Sequence, residues 1–344
     1  MLQRYSLNLQ TELRKDMMLE IGYIGTRGLH LTQQVLPDQA LDASPSNPIR
    51  GQTDNTLANL YQRVPVQGFG ISTWRQINSE GASWYNGLEA SLTKRFSHGV
   101  QLLASYTWAK ELSTDFSSST SPNGGESIGN QYLQSARYGP DLFVRPQRFV
   151  ASYVYAPPYF EHRGALLRNT LSGWKIAGVT TIQNGHPLAV QNTNAFNLYG
   201  INGTDDDFAQ LAPNCTVSQV SSSGSVQSKI NHFINQSCFE NVATGQPTPY
   251  PVISSDGGTA FGNTRPGILR GPGQNNTDLS LIKNFSPRWP NENAAVEFRA
   301  ELFNAFNHPQ FSDPGYAVDG ASFGAITTAA VAPRIAQFAL KLSF

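Results

Sequence analysis

RIAQFALKLSF, Arg334–Phe344, is the stretch whose reading decides the fold. With period two, Ala336, Phe338, Leu340, Leu342 and Phe344 fall on one face. Ile335, Gln337, Ala339, Lys341 and Ser343 fall on the other. Successive side chains of a strand point to opposite faces, so this is a strand with one apolar side and one largely polar side. It closes the sequence on an aromatic residue, whereas the ends of soluble domains fray unless tied down. A membrane β-barrel gives such a segment a lipid to face and a first strand to seal against. The competing reading is the edge strand of a soluble sandwich.

The same alternation recurs upstream. Residues 294–306 (AAVEFRAELFNAF) read as a strand that pairs with 277–285 (TDLSLIKNF) across SPRWPNEN. Residues 83–96 and 100–110 form a hairpin around Ser97, His98 and Gly99, and residues 4–13 and 17–25 form another. Single strands fall at 147–156 and 172–183. Between them lie polar stretches rich in Pro, Gly, Ser and Asn at about 33–80, 112–142, 184–274 and 307–332. Short and long connections thus alternate from end to end. An up-and-down barrel with short periplasmic turns and long extracellular loops has this asymmetry, and a sandwich has no reason to sort its loops by end. Several strands are about 10 residues long, as a tilted membrane strand requires. Tyr5, Tyr23, Trp84, Phe96, Trp108, Tyr155, Trp174, Phe285, Phe306 and Phe344 lie at or near strand ends, where interfacial aromatic girdles belong. The expectation is all-β, an antiparallel up-and-down transmembrane β-barrel of about nine strands, with outer-membrane lipid as its surroundings.

Composition agrees. Basic and acidic residues balance at 24 each, and only 14% of residues are charged against about a quarter in an ordinary soluble domain. Nucleic-acid binding needs a basic face and has no support. No run approaches the ~20 apolar residues of a membrane helix. Residues 1–20 lack the basic start and apolar core of a signal peptide, so an exported chain of this sequence is expected to be a fragment with its export signal upstream, or a mis-started frame.

Catalysis has little support. His30, His98, His162, His186, His232 and His308 are scattered, and no nucleophile elbow, P-loop or paired-cysteine metal site occurs. No cofactor is expected. Asp205, Asp206 and Asp207 read as a solvated turn rather than a calcium site. Cys215 and Cys238 read as one loop disulfide in an oxidising compartment, with two unrelated thiols as the alternative. Glu297, Arg299 and Glu301 alternate with apolar neighbours and so face the lumen of a barrel. There they can pair across strands or meet a plug. Asn304, Asn307 and His308 read as strand-terminating groups rather than ligands.

FRAELFNAFNHPQF (298–311), followed by the terminal strand, resembles the C-terminal barrel of TonB-dependent outer-membrane receptors, in particular the Oar-like transporters. YNGLEASLTKRFSHGVQLLASYTWAK (85–110), RPQRFVASYVYAPP (145–158) and LSGWKIAGVTTIQNGHPLAV (171–190) fit the same pattern. The likeness covers nearly all of 1–344 and implies the C-terminal portion of a plugged barrel of about 22 strands. It implies energised uptake of a large or scarce solute across the outer membrane of a Gram-negative bacterium. It also implies that Phe338, Leu340, Leu342 and Phe344 serve as the signal read by the barrel-assembly machinery. A TonB box, a plug domain and the first half of the barrel have no counterpart here, so plug and TonB would be partners only through an N-terminal part. Two alternatives stand beside transport: a non-transporting barrel fragment that needs an upstream partner, and a secreted carbohydrate-binding β-sandwich.

Overall fold

The structure is a computed structural model that describes residues 1–56, 58–70, 74–114, 129–157, 172–192, 199, 207–239, 261–285, 294–318 and 320–343. Nine long strands organise it: β1 (Leu2–Arg14), β2 (Met17–Val35), β3 (Gln76–Ser97), β4 (Val100–Ser113), β5 (Gln147–Tyr155), β6 (Trp174–Gln183), β7 (Gln274–Phe285), β8 (Ala295–Phe303) and β9 (Ile335–Ser343). Each pairs antiparallel with the next in chain order, giving one continuous up-and-down sheet. Among the described residues the long strands form this one sheet and no second large sheet faces it, which overturns the sandwich alternative.

The last strand does not seal against the first. β1 and β9 are the two edges of the sheet. The reason is directional: with an odd number of alternating strands, β1 and β9 run the same way. A direct seam would be parallel, while every neighbouring pair is antiparallel and can be joined by a tight turn.

Register gathers the apolar positions onto one side. Leu9, Ile21, Ala90, Tyr106, Phe149 and Ile182 are directly opposite one another across six strands. Nearer the short turns, Tyr155, Ile176, Leu281, Ala300 and Phe338 form another such row. Directly opposed residues share a face, so the amphipathic strands merge into one apolar belt. Its members stand exposed: Leu9 at 65%, Ile182 at 47%, Phe338 at 70%. The other side carries Asn8, Glu89, Thr107, Arg148, Gln183 and Gln274. One device recurs on this side of the sheet. Tyr5 is opposite Gly25 and Tyr153 is opposite Gly178. Each ring lies over the bare glycine backbone, and a Cβ on Gly178 would sit 2.7 Å from the Tyr153 ring.

β2 and β3 run 19 and 22 residues, well past the predicted 17–25 and 83–96, and the connection between them shrinks to 36–75. About 9–11 residues cross a bilayer, so the excess stands beyond it. Out of lipid a strand needs no apolar face, which is why alternation failed to mark it. Trp84 accordingly lies mid-strand rather than at an end. Register shifts around Leu31 bend this extension, with His30 at φ 56° in the bulge.

At the opposite end the β1–β2 and β3–β4 turns are tight. His98 (φ 50°) and Gly99 (φ 78°) form a two-residue hairpin turn with both residues left-handed. The Asp16 carboxylate, in the turn between β1 and β2, accepts hydrogen bonds from Lys94 Nζ and Ser97 Oγ beside the next turn. The Lys94 bond foremost holds the Asp16 pKa down at about 2. The turn expected at SPRWPNEN lies outside the described residues.

Candidate functional site

Two features converge on the end of the sheet opposite the tight turns: the polar face, and the four long connections that follow β2, β4, β6 and β8.

On the polar face the predicted trio is brought together on β8. Arg299 Nη2 donates to Glu297 Oε1 at 2.8 Å, and its Nη1 is 3.5 Å from Glu301 Oε1. Arg299 makes its ion pairs along its own strand rather than across strands. The residues opposite Arg299 are Ile282 on β7 and Ala339 on β9, neither of them charged. Its fork therefore closes along its own strand, where positions two apart share a face. Ser280 donates to Glu301 at 3.5 Å, and Lys341 sits directly across from Glu297. Glu297, Glu301, Arg299 and Lys341 balance in charge. The strip is polar, partly exposed and balanced in charge rather than an ion trap.

The long connections fold into one head. Its core is Leu188, Val190, Ala209, Val220, Ile234, Cys238, Phe239 and Leu269 from the β6–β7 connection, closed by Phe323 from the β8–β9 connection. Phe239 and Phe323 meet edge to face at 5.5 Å. Most of the largest fully buried side chains lie in the loops rather than on the strands, as expected of a sheet whose apolar side faces outward. Cys238, within that core, is bonded to Cys215, which packs against it (Sγ–Sγ 2.19 Å). Backbone bonds Gln191 N to Tyr316 O (3.0 Å) and Val318 N to Gln191 O (2.9 Å) lace the two connections together.

The other two connections join the same assembly. Gln39 Nε2 donates to Gly129 O (2.9 Å), and the Gln131 amide returns a bond to Gln39 Oε1 (2.9 Å). Tyr132 Oη donates to the carbonyls of Pro37 (3.0 Å) and Gln39 (2.8 Å), and burial foremost pushes its pKa up to about 12. Arg63 is fully buried. Its Nη1 donates to Leu41 O at 2.7 Å, its Nε to Asn59 Oδ1 at 2.9 Å, and its guanidinium is 5.7 Å from the Tyr199 ring. Arg145 Nη1 donates to Asn184 O at 2.8 Å, joining the β4–β5 connection to the end of β6. At that junction His186 Nε2 and Asp313 Oδ2 lie 2.7 Å apart. The Asp313 hydrogen bond raises the His186 pKa above its ordinary value.

Asn304, Asn307 and His308 act as strand terminators. Asn304 and Asn307 adopt φ 48° and 51°, and the His308 amide donates to Asn304 Oδ1 at 2.9 Å. Gln310 completes the exit. Its Oε1 accepts from Asn275 N (2.7 Å) and its Nε2 donates to Asn275 O (2.6 Å), so a side-chain amide takes the place of the strand that has left β7. Nothing in the sequence singled out Gln310 or Arg63, because each is an ordinary polar letter whose role depends on distant partners.

On β9, Phe338, Leu340 and Leu342 stand 62–70% exposed on the apolar side. Phe338 stacks on Phe298 of β8 at 6.5 Å. Phe344, Asp205, Asp206 and His162 lie outside the described residues. Among the described residues no group of three or more His, Cys, Asp or Glu could hold a metal ion, and no helix is long and apolar enough to cross a membrane.

Comparison with known proteins now adds three findings. The family profile of the outer membrane beta barrel domain matches residues 1–337. Among solved structures, the chain is similar to the outer membrane transporter YddB from Escherichia coli, with 10% identity and a TM-score of 0.48 over 98% of this chain. The chain spans 32% of the length of that structure. A search of curated proteins finds no match.

Proposed function

The chain belongs to the outer membrane beta barrel domain family, a protein of the cell outer membrane, and from that premise we propose that it is a barrel segment of a TonB-dependent, Oar-like transporter. Its work is energised uptake of a large or scarce solute. The observation that carries this reading is the interlocked head standing at one end of a polar-faced sheet. A simple pore needs no such head, whereas capture of a large solute needs a shaped surface beside a hydrated wall. The head faces outside and the tight turns face the periplasm. The Glu297–Arg299–Glu301 strip lines the lumen, where it meets solute or a plug. No catalytic step is part of this function. The partners are lipid, the barrel-assembly machinery acting on Phe338, Leu340, Leu342 and Phe344, and a plug and TonB engaged through further chain.

Uptake of labelled siderophores, oligosaccharides and peptides tests this in the native cell. Loss of this protein and loss of the TonB-type coupling protein are expected to abolish uptake of the same solute. A solute that needs this protein but no coupling protein overturns energised transport. The two free sheet edges favour a second reading, a non-transporting segment that requires partner strands. In that case no solute's uptake depends on the chain.

A further inference from the structure

Above the apolar belt, on the same outward side and toward the head, three rows cross the first four strands. They are Leu7–Tyr23–Leu88–Trp108, Tyr5–Gly25–Asn86–Lys110 and Gln3–Arg27–Trp84–Leu112. The rows hold Arg27, Lys110 and four aromatic rings, and no acidic residue. Arg27, Asn86, Trp108 and Lys110 are exposed. The Tyr5 and Tyr23 hydroxyls both donate to Asn86 Oδ1, at 3.1 and 2.8 Å, and the Arg27 guanidinium is 6.0 Å from the Trp84 ring centroid. Beside Lys110 and Trp108 the surface opens into a cleft of about 180 Å³ that also takes in the exposed Arg270, with Glu111 and Asp141 on its wall. Residues two apart on a strand are separated by roughly 7 Å, so the three rows cover about the depth of a lipid headgroup layer.

We propose that this strip binds a phosphate-bearing lipid headgroup of the outer leaflet, with Lys110 and Arg27 on the phosphate oxygens, Arg270 flanking them, and Trp108 and Tyr23 at the boundary with the acyl chains. Two observations carry it. The cations in these rows have no acid among them, unlike Arg299 and Lys341 on the other face, so their charge is directed outward. The strip is also continuous with the lipid-facing belt, which selects a lipid over a dissolved anion. Guanidinium and ammonium groups are the usual donors to phosphate, and aromatic rings settle at the membrane interface. The inference rests on the outward orientation of the head proposed above.

The test uses the full chain folded in detergent micelles and titrated with diphosphoryl lipid A, or with the same lipid stripped of its phosphates. The phosphorylated form is expected to bind at least tenfold tighter. The double variant Arg27→Gln, Lys110→Gln is expected to lose that advantage, while Arg4→Gln, Lys175→Gln, which removes two cations from the opposite face, keeps it. Equal affinity for both lipids, or equal loss in both double variants, overturns the proposal. Should the first variant fail to fold, the comparison of the two lipids on the unaltered chain decides by itself. Orientation is read separately, by maleimide labelling of Ser46→Cys in intact cells. Absence of label with phosphate-dependent binding intact sinks the orientation and not the phosphate site.

Discussion

At the scale of single residues, the belt depends on a glycine that lets a tyrosine lie flat. Gly178→Val is expected to drive Tyr153 off the sheet and to cost about 1–3 kcal/mol, the usual penalty for overpacking. The temperature at which the folded band disappears on a semi-native gel measures it. Gln310→Ala removes the side chain that mimics a strand for Asn275 and is expected to cost about 1–3 kcal/mol. The His186–Asp313 contact sets a pH dependence. The folded pKa of His186 lies above its ordinary 6.5, so the stability it adds is fully present below 6.5 and is lost as pH rises through the raised value. Proteolysis of the head is therefore expected to accelerate through that window, and His186→Gln to flatten the profile. These roles divide cleanly in legibility. Asn304, Asn307 and His308 announced a strand end because Asn and His punctuate chains locally. Arg63, Gln310 and the Tyr153–Gly178 pair carry no local signal, since their meaning comes from partners far along the chain.

At the scale of elements, period-two alternation located all nine strands, because each must present lipid with an apolar side. It failed where that demand ends. The outer parts of β2 and β3 carry only scattered apolar residues, Leu29, Leu31, Val35 and Ile77, so the strand reading stopped at 25 and resumed at 83, with 33–80 read as loop. The long connections were legible as polar and irregular, but not as a folded unit. Their core residues are spread over 187–326 without periodicity, and only tertiary contact assembles them. Phe323 pins the β8–β9 connection into that core. Phe323→Ala is expected to cost the head about 3–5 kcal/mol while leaving the sheet intact. Limited trypsin digestion would cut the connections first, and circular dichroism would retain its strand signal. Loss of the strand signal at the same point would mean that head and sheet fold as one.

At the scale of the whole molecule, the chain is expected in the membrane fraction, β-rich in detergent; recovery as a soluble folded monomer would contradict the lipid-facing belt. The parallel direction of β1 and β9 adds a sharper expectation. Paired cysteines at Ser6 on β1 and Gln337 on β9 are expected to form no cross-link within one chain, since further strands, odd in number, would have to intervene to keep every pairing antiparallel. A cross-link at that seam, read as a shifted band on a non-reducing gel, would mean the barrel closes directly. The family-level architecture was visible in the alternation of short and long connections, and a count of about nine strands already implied an open arc with two edges, whereas the register was not legible, because it emerges only when all strands are laid side by side. The lacing of the outer connections also bears on how this surface changes over generations. A loop anchored only at its own strand ends is free to drift alone. Here Gln39, Tyr132, Gln191 and Phe323 each hold a neighbouring loop, so a change in one calls for an answering change in another. With the head oriented outward as proposed, phages or antibodies that select for novelty at the cell surface would find it channelled into positions such as Val217 and Val226, which stand 60% and 64% exposed.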